Sequence, residues 1–459
     1  MTKNGLQTAI LLFLAALFSC KQMQKANNTH TTHADVSHTD WSKQANIYEV
    51  NIRQYTEEGT FKAFEKHIPR LKDMGVAILW LMPIQPIGAK NRKGSLGSHY
   101  SIQDYLKVNP DYGTMEDFKH LVAVAHKADM HLVIDWVANH TAFDNPLVEM
   151  HKDWYMLNEK GEPKPPVDDW TDVADLNYDK PELRLYMIDA LKFWVQQTNI
   201  DGFRCDVADM VPTSFWNEAK AELDLLGKPL LMLAEAENPE LHPQAFDMNY
   251  AWELHHILND ICKGKKTAKA LDEYYTDKAK RFAPSVYRMN FTSNHDENSW
   301  NGTEYERMGS AEAVRCMGVF AATVPGMLLI YNGQEDSLAR RLKFFDKDAI
   351  KWGHFPLGTF YKTLLTTKKN NPALWNGDFG GELTRIHTDK DDKIYAFSRT
   401  KGDHSVVVIL NMSPENQEFS LKTPEINAEL HEIFSQEKVN LSAGKAFSLH
   451  KWEYRVYEK

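Results

Sequence analysis

The chain has 459 residues, of which 43% are hydrophobic and 25% charged, and it carries a formal net charge of −10. That length exceeds one ordinary core, and that charge excludes a nucleic-acid surface, which concentrates Lys and Arg. The balance is that of a globular protein, and no run after the N-terminus is apolar enough for a membrane helix.

The N-terminus reads as a targeting segment. Lys3 supplies a positive start, and residues 9–18 form an apolar run short of a bilayer span. The run ends in Leu17-Phe18-Ser19-Cys20, which resembles a bacterial lipoprotein cleavage site. In that reading residues 1–20 are a signal peptide. Cys20 then becomes the first residue, carries lipid, and anchors an exported protein to the outer membrane on its periplasmic or surface face. An ordinary secretory signal is the alternative. Residues 21–40, rich in Asn, Thr, His and Lys, read as a flexible tether. Cys205, Cys262 and Cys316 have no C-x-x-C spacing, so a disulfide framework or zinc site is not expected.

From Trp41 short β-rich runs alternate with helical periodicities. The runs are 47–51, 77–82, 131–137, 202–207, 230–236, 246–249, 287–292 and 327–331. Phe61, Phe64, Ile68 and Leu71 ahead of Gly75 mark one helical face, and Phe118, Leu121, Val122 and Ala125 another. Residues 183–195 and 311–322 read the same way. Eight strand–helix units favour an α/β fold, a closed (β/α)8 barrel over residues 41–374. A doubly wound open sheet is the alternative, but no Gly-rich phosphate loop follows the first strand. Residues 141–179 carry Pro146, Pro163, Pro165 and Pro166 and read as a small inserted loop domain over the barrel mouth. Residues 375–459 alternate apolar and polar positions between turns, which predicts a C-terminal antiparallel β-sandwich domain.

In such a barrel the active site lies at the C-terminal ends of the strands. Polar residues gather there. Strand three ends at Asp135 and runs on to Asn139-His140, strand four carries Arg204 and Asp206, strand five ends at Glu235 and Glu237, and strand seven ends at His295-Asp296. Alternation puts Arg204 and Asp206 on one face, so the guanidinium should keep Asp206 ionised. Grouped carboxylates without a reactive thiol, metal motif or phosphate loop suggest glycoside hydrolysis, which needs one ionised and one protonated carboxyl. Asp206 is the candidate nucleophile, and its charge should raise the pKa of a neighbouring acid on strand five. Glu235 and Glu237 share a parity, so alternation leaves both open for that acid.

Segments 135–140, 202–206, Glu235 and 291–296 resemble conserved regions of the alpha-amylase family of glycoside hydrolases. Segments 75–83, 173–177 and 331–335 add to the resemblance, and order and spacing agree from Trp41 onward. The resemblance implies a retaining enzyme that cleaves alpha-1,4-glucosidic bonds in starch-derived glucans or malto-oligosaccharides. It makes Asp206 the nucleophile, Glu235 the acid/base and Asp296 the stabiliser of the transition state. Arg204 would orient Asp206, and His140 and His295 would bind the sugar being cleaved. Asp135 would support the cluster, and Tyr100 would stack under the same sugar. Trp154 and Trp170 could extend that platform, although packed aromatics are the commoner case.

No cofactor is implied. Many members hold a structural calcium with the help of a His four residues after the nucleophile. Here Met210 stands in that place, and a thioether is a poor ligand for a hard cation. Asn139, Asp168, Asp169 and Asp172 are the remaining candidate donors. Alternative readings are an alpha-glucanotransferase or isomerising member, and a non-catalytic glucan-binding protein.

Overall fold

Eight parallel strands close on themselves. They are β1 (Ile47–Val50), β2 (Ile78–Leu81), β3 (His131–Trp136), β4 (Gly202–Cys205), β5 (Leu231–Ala234), β6 (Met248–Tyr250), β7 (Tyr287–Asn290) and β8 (Met327–Tyr331). β8 pairs back onto β1, with Glu49 opposite Tyr331. A computed structural model of the chain describes residues 36–459, apart from 423–425, 443 and 445. The expected signal peptide with Cys20, and residues 21–35 of the expected tether, lie outside the described residues.

Period-two alternation divides each strand between two cores. Ile47, Ile78, Trp80, Val133, Leu233, Met289 and Leu329 fill the barrel interior. Tyr48, Leu79, Leu132, Phe203, Met232 and Leu328 face outward into the layer of helices. Those helices include α1 (Ile68–Met74), α2 (Met115–Lys127), α3 (Pro181–Thr198), α4 (Thr213–Asp224), α5 (Trp252–Cys262), α6 (Ala311–Thr323) and α7 (Gly358–Asn370). Local chemistry sets their ends. Gly75 closes α1 in the left-handed conformation, and Thr114 with Asp117 forms a capping box at α2.

The structure departs from the expected pattern in three places. Between β5 and β6 the connection is one 3-10 turn, Pro239–Leu241, so that unit has no helix of its own. β6 begins at Met248, and the preceding Asp247 accepts the Met232 amide on its carboxylate, at 2.7 Å. β4 stops at Cys205. Val207 then adopts φ +36°, a left-handed backbone that a β-branched residue resists.

The insertion after β3 is a two-stranded ribbon, His140–Ala142 against Val173–Asp175, enclosing one short helix, Leu147–Met150. The last segment of the expected tether belongs to the fold. The His38 side chain is buried, stacked on Tyr287 at 3.7 Å with Nε2 2.6 Å from the Ser285 carbonyl. Trp41 stacks on His131 at 3.8 Å. These contacts lie at the N-terminal ends of β7 and β3.

The C-terminal strands are β9 (Leu383–Ile386), β10 (Ile394–Lys401), β11 (His404–Asn411), β12 (Gln417–Ser420), β13 (Ile426–Glu432), β14 (Lys438–Leu441), β15 (Ala446–Leu449) and β16 (Tyr454–Glu458). Six of them form an antiparallel sheet in the order β9-β10-β11-β16-β13-β14, and β12 pairs with β15. Phe419 and Leu449 from the small sheet share a core with Ile394, Val407 and Ile409 from the large one, which makes the domain a lopsided sandwich. Arg399 on β10 is fully buried and donates to the carbonyls of Thr323, Leu374, Trp375 and Gly381, tying this domain to the end of α6. Among the described residues no helix is long and apolar enough to cross a membrane.

Candidate active site

Arg204 is the hub of the barrel mouth. It is the last residue of β4 to point inward, and it is fully buried. One terminal amine donates to Asp135 Oδ1 at 2.8 Å and to Asp206 Oδ1 at 2.9 Å, while Nε donates to the Tyr250 hydroxyl at 3.1 Å. The other amine lies 2.9 Å from Glu235 Oε2 without the alignment of a hydrogen bond. That oxygen instead accepts the Val207 amide, at 2.8 Å. The left-handed turn at Val207 thus aims an N–H at Glu235.

Burial and Arg204 pull the Asp206 carboxyl in opposite directions. Burial pushes Asp206 up to about 6; Arg204 offsets only part of this, because it also serves Asp135 and Glu235, and the Asp135 charge pushes the same way as burial. Burial raises Asp135 to about 6 as well. Glu235 rises further, to about 7, through burial and then through the charges of Asp206 and Asp296, against the pull of Arg204. The order needed for catalysis survives. Near neutral pH Asp206 is mostly ionised, and Glu235 keeps its proton in about half the molecules.

Glu237 is separated from Glu235 by its partners. It pairs with Arg288, lies 3.3 Å from Arg281, and accepts the Glu253 amide. Glu235 lines a cleft of about 400 Å3, together with Tyr100, His140, Asp206, His295 and Asp296. That size falls in the range of small-molecule sites.

The two histidines differ in charge. Burial lowers His140 to about 4, so it is neutral at pH 7. Burial also disfavours the His295 cation, but the charges of Asp296 and Glu49 overcome this and hold it at about 9. His295 Nε2 lies 2.7 Å from the Tyr100 hydroxyl and 3.2 Å from Asp296 Oδ2. Tyr100 is buried against His295 and Phe344, and its hydroxyl donates to Asp135 Oδ2 at 3.1 Å. The Asp296 carboxylate is about one-third exposed and faces the cleft.

The two tryptophans part company. Trp170 lines the cleft, edge-on to His140, whereas Trp154 is buried against His151 and Tyr186. The sequence reading misses three further aromatics that line the cleft, Trp300, Phe344 and Phe345. The signal was there in part, since Phe344-Phe345 is an apolar pair inside a long polar loop after β8. Glu49 on β1 is the other omission.

Two of the calcium candidates, Asp169 and Asp172, meet an ammonium instead. Lys93 lies 3.2 Å from Asp172 Oδ1 and donates to the Asp169 carbonyl, and a fixed ammonium there repels a divalent ion. The Asn139 amide faces the His140 ring, and Met210 is largely exposed. Among the described residues no group of three or more His, Cys, Asp or Glu could hold a metal.

Three carboxylates at the C-terminal mouth of a (β/α)8 barrel, two of them sharing one guanidinium, define the type of site that glycosidases use. Residues 23–373 match the alpha amylase catalytic domain, and residues 385–453 match the alpha amylase C-terminal all-beta domain. The chain belongs to the alpha-amylase family. It is similar to a maltogenic alpha-amylase from Thermotoga neapolitana, 30% identical with a TM-score of 0.84, over 91% of this chain and 99% of that one. An alpha-amylase from Haloarcula japonica is 27% identical over 82% of this chain, which spans 56% of that relative's length. A maltogenic alpha-amylase from Bacillus acidopullulyticus is 24% identical over 87% of this chain and 70% of its own length.

Proposed function

We propose that the protein hydrolyses alpha-1,4-glucosidic bonds in starch-derived glucans or malto-oligosaccharides with retention of configuration. The observation that carries this reading is the Arg204 guanidinium set between Asp206 and Glu235. Two carboxyls on one small planar group are close neighbours, as double displacement requires (about 5–5.5 Å). Asp206 attacks the anomeric carbon while Glu235 gives its proton to the departing oxygen. Glu235, now ionised, then takes a proton from the water that releases the sugar from Asp206. Asp296 and His140 face the cleft where they can hold the hydroxyls of that sugar, and Asp135 braces Arg204 and Tyr100 from behind.

Product analysis on maltoheptaose tests the reading. Products shorter than the substrate, released first as the alpha anomer, are expected. Products longer than the substrate would replace it with the transferase reading, and binding without release of sugar would replace it with the non-catalytic one.

The reading extends to the N-terminus, where Cys20 carries lipid and anchors the protein to the outer membrane. The apolar run 9–18 and the Ser19-Cys20 junction support it. Metabolic labelling with a fatty-acid analogue in a bacterial host should mark the wild type and miss Cys20→Ser. Equal label in both would end that part of the proposal.

A further inference from the structure

Glu49 lies on the floor of the mouth, fully buried on β1. Its Oε1 is 2.5 Å from His295 Nδ1, and its Oε2 has no hydrogen-bond partner. A buried carboxylate half satisfied in this way costs stability, so its placement calls for a compensating use. Beyond His295 a continuous chain of polar contacts runs to the nucleophile. His295 Nε2 meets the Tyr100 hydroxyl, that hydroxyl meets Asp135, and Asp135 shares the Arg204 amine with Asp206.

The direction of this chain depends on one proton. With both ring nitrogens protonated, His295 donates through Nδ1 to Glu49 and through Nε2 to the Tyr100 oxygen. The Tyr100 hydroxyl is then free to donate to Asp135. With Nε2 unprotonated, the same hydroxyl is drawn to donate to His295, and Asp135 loses that donor.

We propose that Glu49 is a positioning residue for the reaction: its carboxylate keeps both His295 nitrogens as donors, and this fixes the Tyr100 hydroxyl on Asp135 and so the seat of Arg204 beneath Asp206. The proposal rests on the hydrolytic reading for its effect on turnover but not for its effect on His295. Other groups also face the ring. The charges of Asp296 and Asp135 favour the imidazolium, Arg204 opposes it, and His99, driven neutral by burial, adds no charge. Of the acids, Glu49 is the one in contact with Nδ1; burial raises its carboxyl above the ordinary value, against the pull of His295 first and of Arg204 after it.

The test is an NMR titration of histidine-labelled full-length protein, with the His295 signal identified by its loss in His295→Gln. In the wild type the ring should stay protonated from about pH 5 to 8. In Glu49→Gln its titration should fall toward the ordinary value of about 6.5. Measured against wild type at each pH, kcat of the variant should fall by about ten-fold or more as pH rises over that range, with KM changed less. Glu49→Asp keeps the charge and should retain the wild-type titration, which covers the case in which Glu49→Gln does not fold. A wild-type ring that titrates near 6.5, or an unchanged titration in Glu49→Gln, would overturn the proposal. Because the titration needs no substrate, it stands apart from any failure of the hydrolytic reading.

Discussion

Asp206→Asn is expected to lower kcat on malto-oligosaccharides by roughly 10^4- to 10^6-fold, the scale on which an enzyme loses its covalent nucleophile. The substitution is nearly isosteric. Arg204 keeps Asp135 and Glu235, and the Asn oxygen can still accept its amine. The circular dichroism spectrum should therefore match the wild type. Stability gives an independent sign. Burial raises Asp206 to about 6 in the fold, above about 3.9 in the unfolded chain. A raised acid stabilises the fold fully below its unfolded value, and that contribution is lost as pH rises through about 6. Asn carries no such penalty, so the melting temperature of the variant relative to wild type should rise between pH 4 and pH 8. In the wild type the same group gives the acid limb of kcat/KM near 6, and loss of the Glu235 proton gives the alkaline limb near 7. A flat profile from pH 5 to 8, or full turnover in Asp206→Asn, would remove Asp206 from the chemistry.

Arg204→Met should destabilise the fold by roughly 3–5 kcal/mol at pH 8, the cost of leaving buried charge unpaired. Met matches much of the volume and none of the charge. Asp135, Asp206 and Glu235 would then face one another with no cation among them, and their pKa values, already raised by burial, would rise again. Groups raised in the fold cost nothing while protonated, so the loss should be small at pH 4 and grow as pH increases through 6 and 7. Urea unfolding at the two pH values measures it. An equal loss at both would mean that Arg204 acts through packing against Trp80, Tyr100 and Tyr250 rather than through charge.

The residues most legible in the sequence are those whose position follows from a strand. Asp135, Arg204, Asp206 and Glu235 sit at or just past the ends of β-rich runs, and a barrel carries such ends to one mouth. Choosing Glu235 over Glu237 needed either the family resemblance or the structure, since the partners that remove Glu237, Arg288 and Arg281, come from elsewhere in the chain. Glu49 was hidden for a similar reason. Within Ile47-Tyr48-Glu49-Val50 it reads as one polar residue on a strand, and its partner His295 is 246 residues away. That Asp206 is ionised at neutral pH is legible from its pairing with Arg204, but its rise to about 6 is not. Two residues predict a pair, but the guanidinium serves three carboxylates, and burial, which sequence does not show, outweighs it.

The docking of His38 and Trp41 gives the barrel a handle. Both rings grip the ends of strands where the chain enters the sheet, while every acid of the mouth stands where strands leave it. A load applied at Val36 is therefore delivered to the first residues of two barrel strands, opposite the mouth.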